Sequence, residues 1–272
     1  MMIKTETIHC SSPTDENSIQ EIPMYSNLPK ACRQAGSTLA LIGTVIFSAP
    51  AFAEDSNFTP AEKMEINQMI RQYLLDNPDI IPEVIGILQQ RHTAEVLKQL
   101  HVPLYEDNVS YVDGNPDGDV TVVEFLDYNC GVCKASLSTV EALKKQDPNI
   151  RIIYKEYPIL KESSITAAKA VLAAKKQGKY LELHTALLQN TKTLTEKLIF
   201  KIAKEVGIDE QKLAIDMLDP IIDRTLRENS SLGEQLNISG TPSFIIGDNI
   251  LIGGYRLATL RQVVEETRSQ KD

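Results

Sequence analysis

A pair of cysteines at the junction of a predicted strand and a predicted helix constrains this sequence most. Cys130 and Cys133 follow the β-branched, apolar run Val120–Leu126 and open the segment Ala135–Lys145, whose apolar spacing predicts a helix. The first turn of a helix has unpaired N–H groups and a partial positive charge, and both stabilise a thiolate. The pair is therefore a candidate redox centre.

The first 53 residues have the features of an export signal with an N-terminal extension. Lys30 and Arg33 precede an apolar run, and Ala51-Phe52-Ala53 matches the small-x-small pattern of signal-peptide cleavage. The apolar run is much shorter than the roughly 20 residues that a membrane-spanning helix needs. We therefore predict cleavage after Ala53 and a periplasmic location, with either Met1 or Met24 as the start of translation.

The charge and the cysteine content narrow the function further. A net charge of −9 at pH 7 argues against nucleic-acid binding. Cleavage after Ala53 would remove Cys10 and Cys32, so that Cys130 and Cys133 would be the only cysteines of the exported chain. A structural disulfide at this spacing would close almost no loop and would add little stability.

A metal site is not predicted, and neither is a cofactor. A zinc site normally has four ligands, and the three histidines that follow the signal have no partner at ligand spacing. They are His92, His101 and His184. Copper(I) binding by the two thiolates alone stays open as an alternative.

Two amphipathic helices are predicted in the region 54–104. The first begins at Thr59-Pro60 and ends near Asp76, and the second runs from about Ile81 to Leu100. Their apolar stripes imply a partner surface, which is either the core of the same chain or a second copy. We favour self-association through residues 59–100, with a homodimer as the commonest outcome. His101–Asp107 is predicted to be a linker.

The next segments predict strands and one anomalous carboxyl group. Strands are expected at residues 108–112, 120–126 and 150–157, with a parallel crossover between the last two. Both faces of the 120–126 strand are apolar, as in a central strand covered by helices. Glu124 interrupts this pattern. It is either a strand-end acid that reaches water or a buried proton acceptor for the inner thiol.

The rest of the chain predicts a helical insertion and a closing hairpin. The insertion covers about 160–236, with helices expected at residues 165–176, 179–189, 195–206, 209–218 and 221–236. Gly240-Thr241-Pro242 then leads into strands at 243–246 and 250–252, and a helix follows at 258–268. Pro242 should mark a turn at the strand entrance, and its spacing alone leaves a cis bond undecided.

The combination of Glu124-Phe125-Leu126-Asp127-Tyr128-Asn129-Cys130-Gly131-Val132-Cys133-Lys134 with Gly240-Thr241-Pro242-Ser243-Phe244 resembles the DsbA family. The resemblance covers about Val109 to the C-terminus and implies an α/β thioredoxin fold with a helical insertion, placed at residues 105–272. It is closest to the exported ScsC type, which has an added N-terminal helical oligomerisation region.

The resemblance also implies roles for individual residues. Cys130 would be the exposed nucleophile, Cys133 the buried resolving thiol, Glu124 the buried acid and Pro242 the cis-proline facing the pair. The residues expected to line the substrate groove are Gly131, Val132 and Thr241.

The expected function is a thiol-disulfide oxidoreductase that forms disulfides, isomerises them, or does both in client proteins with cysteines. The dipeptide Gly131-Val132 replaces the Pro-His of strongly oxidising DsbA proteins, so we expect a milder oxidant. Alternatives are a dedicated isomerase kept reduced by a membrane redox partner, or a copper(I)-binding protein or chaperone. Client identity, the redox partner and the choice between dimer and trimer are not encoded in recognisable motifs.

Overall fold

A mixed five-stranded sheet forms the centre of the fold in the computed structural model, which describes residues Phe58–Gln270. Its strands are β1 (Tyr111–Gly114), β2 (Val120–Leu126), β3 (Ile150–Glu156), β4 (Ser243–Ile246) and β5 (Asn249–Ile252). The spatial order is β1-β3-β2-β4-β5, with β2 parallel to β3 and antiparallel to β4. The prediction of a central β2 joined to a parallel β3 is therefore confirmed.

Helices surround this sheet and precede it. They are α1 (Pro60–Asp76), α2 (Ile80–Gln99), α3 (His101–Tyr105), α4 (Gly131–Gln146), α5 (Glu162–Ala174), α6 (Tyr180–Gln189), α7 (Glu196–Glu205), α8 (Glu210–Asp216), α9 (Pro220–Gln235) and α10 (Leu257–Ser269). Helices α5 to α9 form the predicted insertion between β3 and β4. The thioredoxin-like α/β fold is thus confirmed, whereas the predicted signal peptide lies outside the described residues.

Two predictions near the start of the domain are wrong. Residues 101–105, expected in a linker, form α3, because Leu104 is completely buried against the sheet. The strand expected at 108–112 begins only at Tyr111. Asp107 accepts hydrogen bonds from the backbone N–H groups of Val109 and Ser110, and Asn108 has a positive φ of 59°. These contacts make residues 107–110 a turn instead of a strand.

Two apolar clusters cover the two faces of the sheet. The larger one includes both cysteines, Val122 and Leu126 of β2, and residues of α4, α5 and α6. The smaller one joins Val123 and Phe125 of β2 to the ends of α2 and α9 and to α3. Alternate residues of β2 thus enter different clusters, as the period of two in a strand requires.

The N-terminal helices are mostly exposed. Helix α1 begins with a capping box between Thr59 and Glu62 and buries none of its residues. In α2 only Leu97 is buried. Docking onto the chain's own core is therefore wrong for α1 and the first half of α2, and applies only to the end of α2. Large exposed apolar side chains of these helices are Met64, Met69, Ile70, Tyr73, Leu74, Leu75, Ile81, Val84, Ile85, Ile87 and Leu88.

An ion pair between a buried lysine and a partly buried aspartate attaches α3 and the following turn to the sheet. The side chain of Lys155 is fully buried, and its Nζ donates to the Pro103 carbonyl and to Asp107 Oδ2, both at 2.7 Å. Removing one partner of a buried pair leaves an uncompensated charge. The pair therefore fixes the junction between the N-terminal helices and the sheet.

We expect Asp107→Ala to lower the free energy of unfolding by about 3 kcal/mol, because it leaves the Lys155 ammonium buried without its carboxylate. Urea denaturation followed by circular dichroism measures the change. Asp117→Ala is the matched control, since Asp117 is an exposed carboxylate of the next loop and should shift stability by less than about 0.5 kcal/mol. Equal denaturation midpoints for the two variants would contradict the structural role of the pair.

Candidate active site

The two cysteines lie where β2 passes into α4. The chain leaves the sheet after Leu126, turns through residues 127–129, and Cys130 is the N-cap of α4. The backbone N–H of Cys133 donates to the Sγ of Cys130 at 3.4 Å. Both cysteines are free thiols in this structure. The helix terminus therefore presents an N–H donor to the Cys130 sulfur, as the sequence predicted.

The Thr241-Pro242 loop faces this sulfur. The Thr241-Pro242 peptide bond is cis, and the Cys130 thiol donates to the Thr241 carbonyl at 3.0 Å. The same loop is attached to the end of the hairpin, because the N–H of Gly253 donates to the Pro242 carbonyl. Two segments more than one hundred residues apart in sequence thus meet at the thiol.

Both thiols are buried, so the expectation of an exposed Cys130 is wrong, although Cys130 is the less buried of the two. Cys130 is 8% exposed and Cys133 is 1% exposed, whereas Gly131 and Val132 between them are on the surface. Burial raises the pKa of Cys133, and the Asp127 backbone and the Thr241 hydroxyl offset this only in part. A proton on Cys133 is therefore hard to remove without a nearby base.

Glu124 is completely surrounded by the fold. It is 4% exposed, which excludes the alternative of a strand-end acid that reaches water. It shares one face of β2 with Val122 and Leu126, the residues that pack in the same cluster as Cys133. Burial, together with the charge of Glu156, raises the pKa of Glu124 to about 8. A carboxyl with this pKa can both accept and return a proton near neutral pH.

A buried polar network beside Glu124 was missed by the sequence analysis. The hydroxyl groups of Tyr180 and Tyr128 lie 2.7 Å and 2.9 Å from Glu156 Oε1, and Tyr128 also contacts the Nδ1 of His184 at 3.0 Å. Burial lowers the pKa of His184 to about 3, so the imidazole is neutral. An available signal was Glu156 itself, an acid at the end of an apolar strand.

A second missed residue is Asp127, whose buried carboxylate accepts four hydrogen bonds. Its Oδ2 accepts from the backbone N–H groups of Ile159 and Leu160, and its Oδ1 accepts from Asn129 N and the Ser164 hydroxyl. The loop that carries Cys130 is thereby tied to the loop before α5. The Asp127 carboxylate therefore holds the cysteine turn in position.

The space beside the exposed Gly131-Val132 dipeptide is too small for a side chain at position 254. A Cβ placed on Gly254 would lie 2.7 Å from Val132 Cγ1, which is closer than two carbon atoms can approach. The hairpin therefore packs its backbone directly against Val132. The surface around Cys130 is built from the cysteine turn, the Thr241-Pro242 loop and this glycine.

Two parts of the chain match known protein families. Residues 121–265, just over half of the chain, match the family described as DSBA-like thioredoxin domain. The chain belongs to this DSBA-like family. Residues 62–95, within α1 and α2, match the N-terminal domain of the copper resistance protein ScsC.

Solved structures of DSBA-like proteins agree with this assignment. A thioredoxin-like oxidoreductase from Silicibacter pomeroyi is 40% identical, with a TM-score of 0.61, over 62% of this chain and 97% of that chain. A linker-deletion variant of ScsC from Proteus mirabilis is 31% identical, with a TM-score of 0.63, over 79% of this chain and 99% of that chain. The second similarity extends into the N-terminal helices.

Curated relatives of the DSBA-like domain differ in length from this chain. The probable disulfide bond formation protein D of Bacillus anthracis is 27% identical over 50% of this chain and 69% of the relative. The Na(+)/H(+) antiporter NhaA 3 of Salinispora tropica is 25% identical over 63% of this chain, and the chain spans about a quarter of that protein's length. No helix among residues 58–270 is long and apolar enough to cross a membrane.

We expect Asp127→Asn to lower the free energy of unfolding by about 3 kcal/mol, because an amide cannot replace a carboxylate that accepts four buried hydrogen bonds. Chemical denaturation measures this loss. The matched control is Asp248→Asn, which changes an exposed acid in the β4–β5 turn and should leave stability unchanged. If both variants unfold at the same denaturant concentration, Asp127 does not hold the cysteine turn.

Proposed function

We propose that this protein is an exported thiol-disulfide oxidoreductase that forms disulfides, isomerises them, or does both through Cys130 and Cys133. One observation carries the proposal. Cys130 Sγ accepts an N–H at the start of α4 and lies 3.0 Å from the carbonyl that precedes Pro242. The helix N–H is a donor from which a thiolate sulfur can accept a hydrogen bond, and the Thr241-Pro242 loop beside the sulfur offers backbone for a client peptide.

The exchange reaction needs only the two sulfur atoms and a proton acceptor. To oxidise a client, the client thiolate attacks Cys130 Sγ, the Cys130–Cys133 bond breaks, and Cys133 leaves as a thiolate that takes up a proton. A second client thiolate then attacks the mixed disulfide and releases Cys130 as a thiolate. The client loses two electrons and the cysteine pair gains them. The reverse sequence reduces a client disulfide.

Glu124 is the group we assign to the proton on Cys133. Its carboxyl donates a proton when the Cys133 thiolate forms and removes one when Cys133 attacks a mixed disulfide. Support comes from the position of Glu124 on the face of β2 whose Val122 and Leu126 pack in the cluster of Cys133, and from the raised pKa of Glu124. A carboxyl in water would ionise too readily to return the proton at neutral pH.

The client would bind across the exposed surface around Cys130. Gly131 and Val132 are exposed, and the backbone at Thr241 lies beside the sulfur. When Cys130 is bonded to a client, its sulfur no longer donates to the Thr241 carbonyl, and that carbonyl can accept a hydrogen bond from the backbone of the client strand. Clients would be recognised mainly by backbone and by apolar contacts, which suits a broad range of proteins with cysteines.

Self-association through α1 and α2 is the second part of the proposal. Their exposed apolar stripe, which includes Tyr73, Ile85 and Leu88, would be covered by the same helices of another copy. A dimer is the expected assembly, and a membrane protein would restore the redox state of the cysteines. The location would be the periplasm, because residues 1–53 have the signal-peptide pattern.

The test uses ribonuclease in two starting states. The oxidised protein should form disulfides in reduced ribonuclease, and the reduced protein should reactivate scrambled ribonuclease. Isomerisation without any oxidation would identify a dedicated isomerase. Failure in both assays, with an intact fold, would refute the proposal. The redox state of Cys130 and Cys133 in cells, trapped by thiol alkylation, then shows which direction operates there.

Copper(I) binding is the second candidate, because residues 62–95 match a domain of a copper resistance protein. Two thiolates can bind copper(I) with near-linear geometry and no further ligand. A competition titration with a chromophoric copper(I) chelator decides the matter. Tight one-to-one binding that Cys130→Ser abolishes, together with no disulfide exchange, would replace the oxidoreductase assignment.

A further inference from the structure

Glu156 is a buried acid with no role in the exchange reaction described above. It is the last residue of β3 and is 1% exposed. One of its oxygens, Oε1, accepts hydrogen bonds from the hydroxyl groups of both Tyr128 and Tyr180. The other oxygen, Oε2, is buried and has no hydrogen-bond partner in the described structure. A carboxylate with one bare oxygen is expensive to bury, so a structural role alone does not explain an acid at this position.

The strand register places Glu156 on the same side of the sheet as Glu124. In the parallel pair of β2 and β3, Glu124 is opposite Tyr154 and Leu126 is opposite Glu156. Because side chains alternate along a strand, all four side chains share one face. Leu126 and Tyr154 of this set pack in the cluster that contains Cys133. The two buried acids are thus diagonal neighbours beneath the cysteine pair.

The groups facing Glu124 and Glu156 bring little compensating charge. They are Tyr154 of β3, Tyr128 and Asp127 of the cysteine turn, and Tyr180 and His184 of α6. The imidazole is neutral, and neither acid forms an ion pair within residues 58–270. Burial raises the pKa of Glu156 to about 8, and its two tyrosine hydrogen bonds oppose this shift. The pair therefore begins to ionise near pH 8, and the second carboxyl loses its proton against the charge of the first.

We propose that Glu156 is a positioning residue that acts through Glu124: its carboxylate repels a second negative charge and so holds the proton on Glu124 until a thiolate forms at Cys133. When the Cys130–Cys133 bond breaks, the proton moves from the Glu124 carboxyl to Cys133 Sγ, and Glu124 becomes the carboxylate. It later regains a proton from solvent. The inference rests on the proposed function, since it concerns the proton of that exchange.

The tyrosines explain how Glu156 can hold a charge in this position. Two hydroxyl groups converge on Oε1, and hydrogen bonds to an ionised acceptor are stronger than those to a neutral one. They favour the carboxylate of Glu156, whereas Glu124 has no such donor among the hydrogen bonds of the described residues. The asymmetry makes Glu156 the acid that ionises first and Glu124 the acid that keeps its proton.

The test is the pH dependence of reduction of the Cys130–Cys133 disulfide by dithiothreitol. Samples are quenched in acid, alkylated and quantified by mass spectrometry, because the protein has no tryptophan to report the reaction. For each protein the rate is divided by that of the Glu124→Gln variant at the same pH, which cancels the titration of dithiothreitol and leaves the part that depends on Glu124. The midpoint is the pH at which this rate ratio lies halfway between its acid and alkaline limits. Glu156→Gln should lower that pH by about one unit.

Three further variants separate this effect from a loss of structure. Tyr180→Phe keeps the ring and removes a hydrogen bond that favours the Glu156 carboxylate, so it should shift the midpoint in the same direction by a smaller amount. In a Glu124→Gln background, Glu156→Gln should cause no shift. Glu141→Gln, which removes a half-exposed carboxylate on α4 that pairs with Lys144, should leave the profile unchanged.

The outcomes distinguish the two proposals. A Glu156→Gln profile that superimposes on that of the unsubstituted protein overturns the role of Glu156, and so does an equal shift in the Glu124→Gln background. If Glu156→Gln does not fold, the Tyr180→Phe profile decides, and the absence of a shift there overturns the inference. If the unsubstituted protein does not exchange its disulfide at any pH, the proposed function fails instead.

Discussion

Cys133→Ser is expected to accumulate covalent complexes with client proteins, whereas Cys130→Ser should form none. In the proposed reaction the mixed disulfide forms at Cys130, the less buried sulfur, and Cys133 releases it from within the protein. Both variants should lose multiple-turnover activity to below about one thousandth of the original rate, because exchange requires a thiolate nucleophile. Non-reducing electrophoresis of cells that express each variant measures the difference.

The serine substitutions keep the comparison free of structural change. Serine at position 130 can still accept the Cys133 N–H, and serine at position 133 is close in volume to the buried thiol. The denaturation midpoints of the two variants should therefore be similar. Trapping by Cys130→Ser, or equal trapping by both variants, would reverse the assigned order of the two cysteines.

The sequence was sufficient for most of the catalytic domain because its signals are local. The period of two in Val120–Leu126 predicted a strand covered on both faces, and the structure buries six of its seven residues. The helices of the insertion were predicted within three residues of their ends, since glycines, prolines and capping residues mark those ends. The position of the cysteines at the start of a helix followed from the same signals.

The parts that sequence reasoning missed depend on contacts between distant segments. Tyr128, Glu156 and His184 lie in three different segments, and only the fold brings the Tyr128 hydroxyl to 2.9 Å from Glu156 Oε1 and 3.0 Å from His184 Nδ1. Asp127 was read as part of a motif, although its partners Ile159 and Leu160 lie more than thirty residues away. Helix α3 was assigned to a linker because five residues are too few for a periodic signal.

Glu124 and Glu156 show that an acid within an apolar strand can indicate a candidate functional residue. Glu124 was recognised because it interrupts an apolar strand, and its burial supports the role of proton acceptor that we propose for it. The same reasoning applies to Glu156, but the strand end made that position ambiguous in the sequence. Only the register of β2 and β3 places the two carboxyls on one face. Pairing of strands therefore carries functional information that a single strand lacks.

The apolar side chains on the surface of α1 and α2 are expected to control both the assembly state and the isomerase activity. Ile81, Val84, Ile85 and Leu88 follow each other at spacings of three and four along α2, and each is roughly half exposed. Such a stripe is unfavourable in water unless another surface covers it. The end of α2 is already used, because Leu97 packs against the sheet. A second copy of these helices is the occupant that we propose.

We expect the double substitution Ile85→Glu and Leu88→Glu to convert the assembly to monomers and to abolish isomerisation while leaving oxidation of reduced ribonuclease intact. Two carboxylates in the contact would repel each other across the interface and would lose the apolar area that drives association. Isomerisation is expected to need two active sites held on one client, whereas oxidation needs a single Cys130–Cys133 disulfide. Light scattering coupled to size-exclusion chromatography gives the assembly state.

Leu218→Glu is the matched control, since Leu218 is even more exposed but lies in the helical insertion, away from α1 and α2. It should change neither the mass of the assembly nor the ratio of the two activities. Because the substituted positions lie well before Leu97, the core should be unaffected and the thermal transition of the catalytic domain should stay in place. Equal loss of oxidation and isomerisation in the double variant would show that the helices serve the domain's integrity and not the pairing of its active sites.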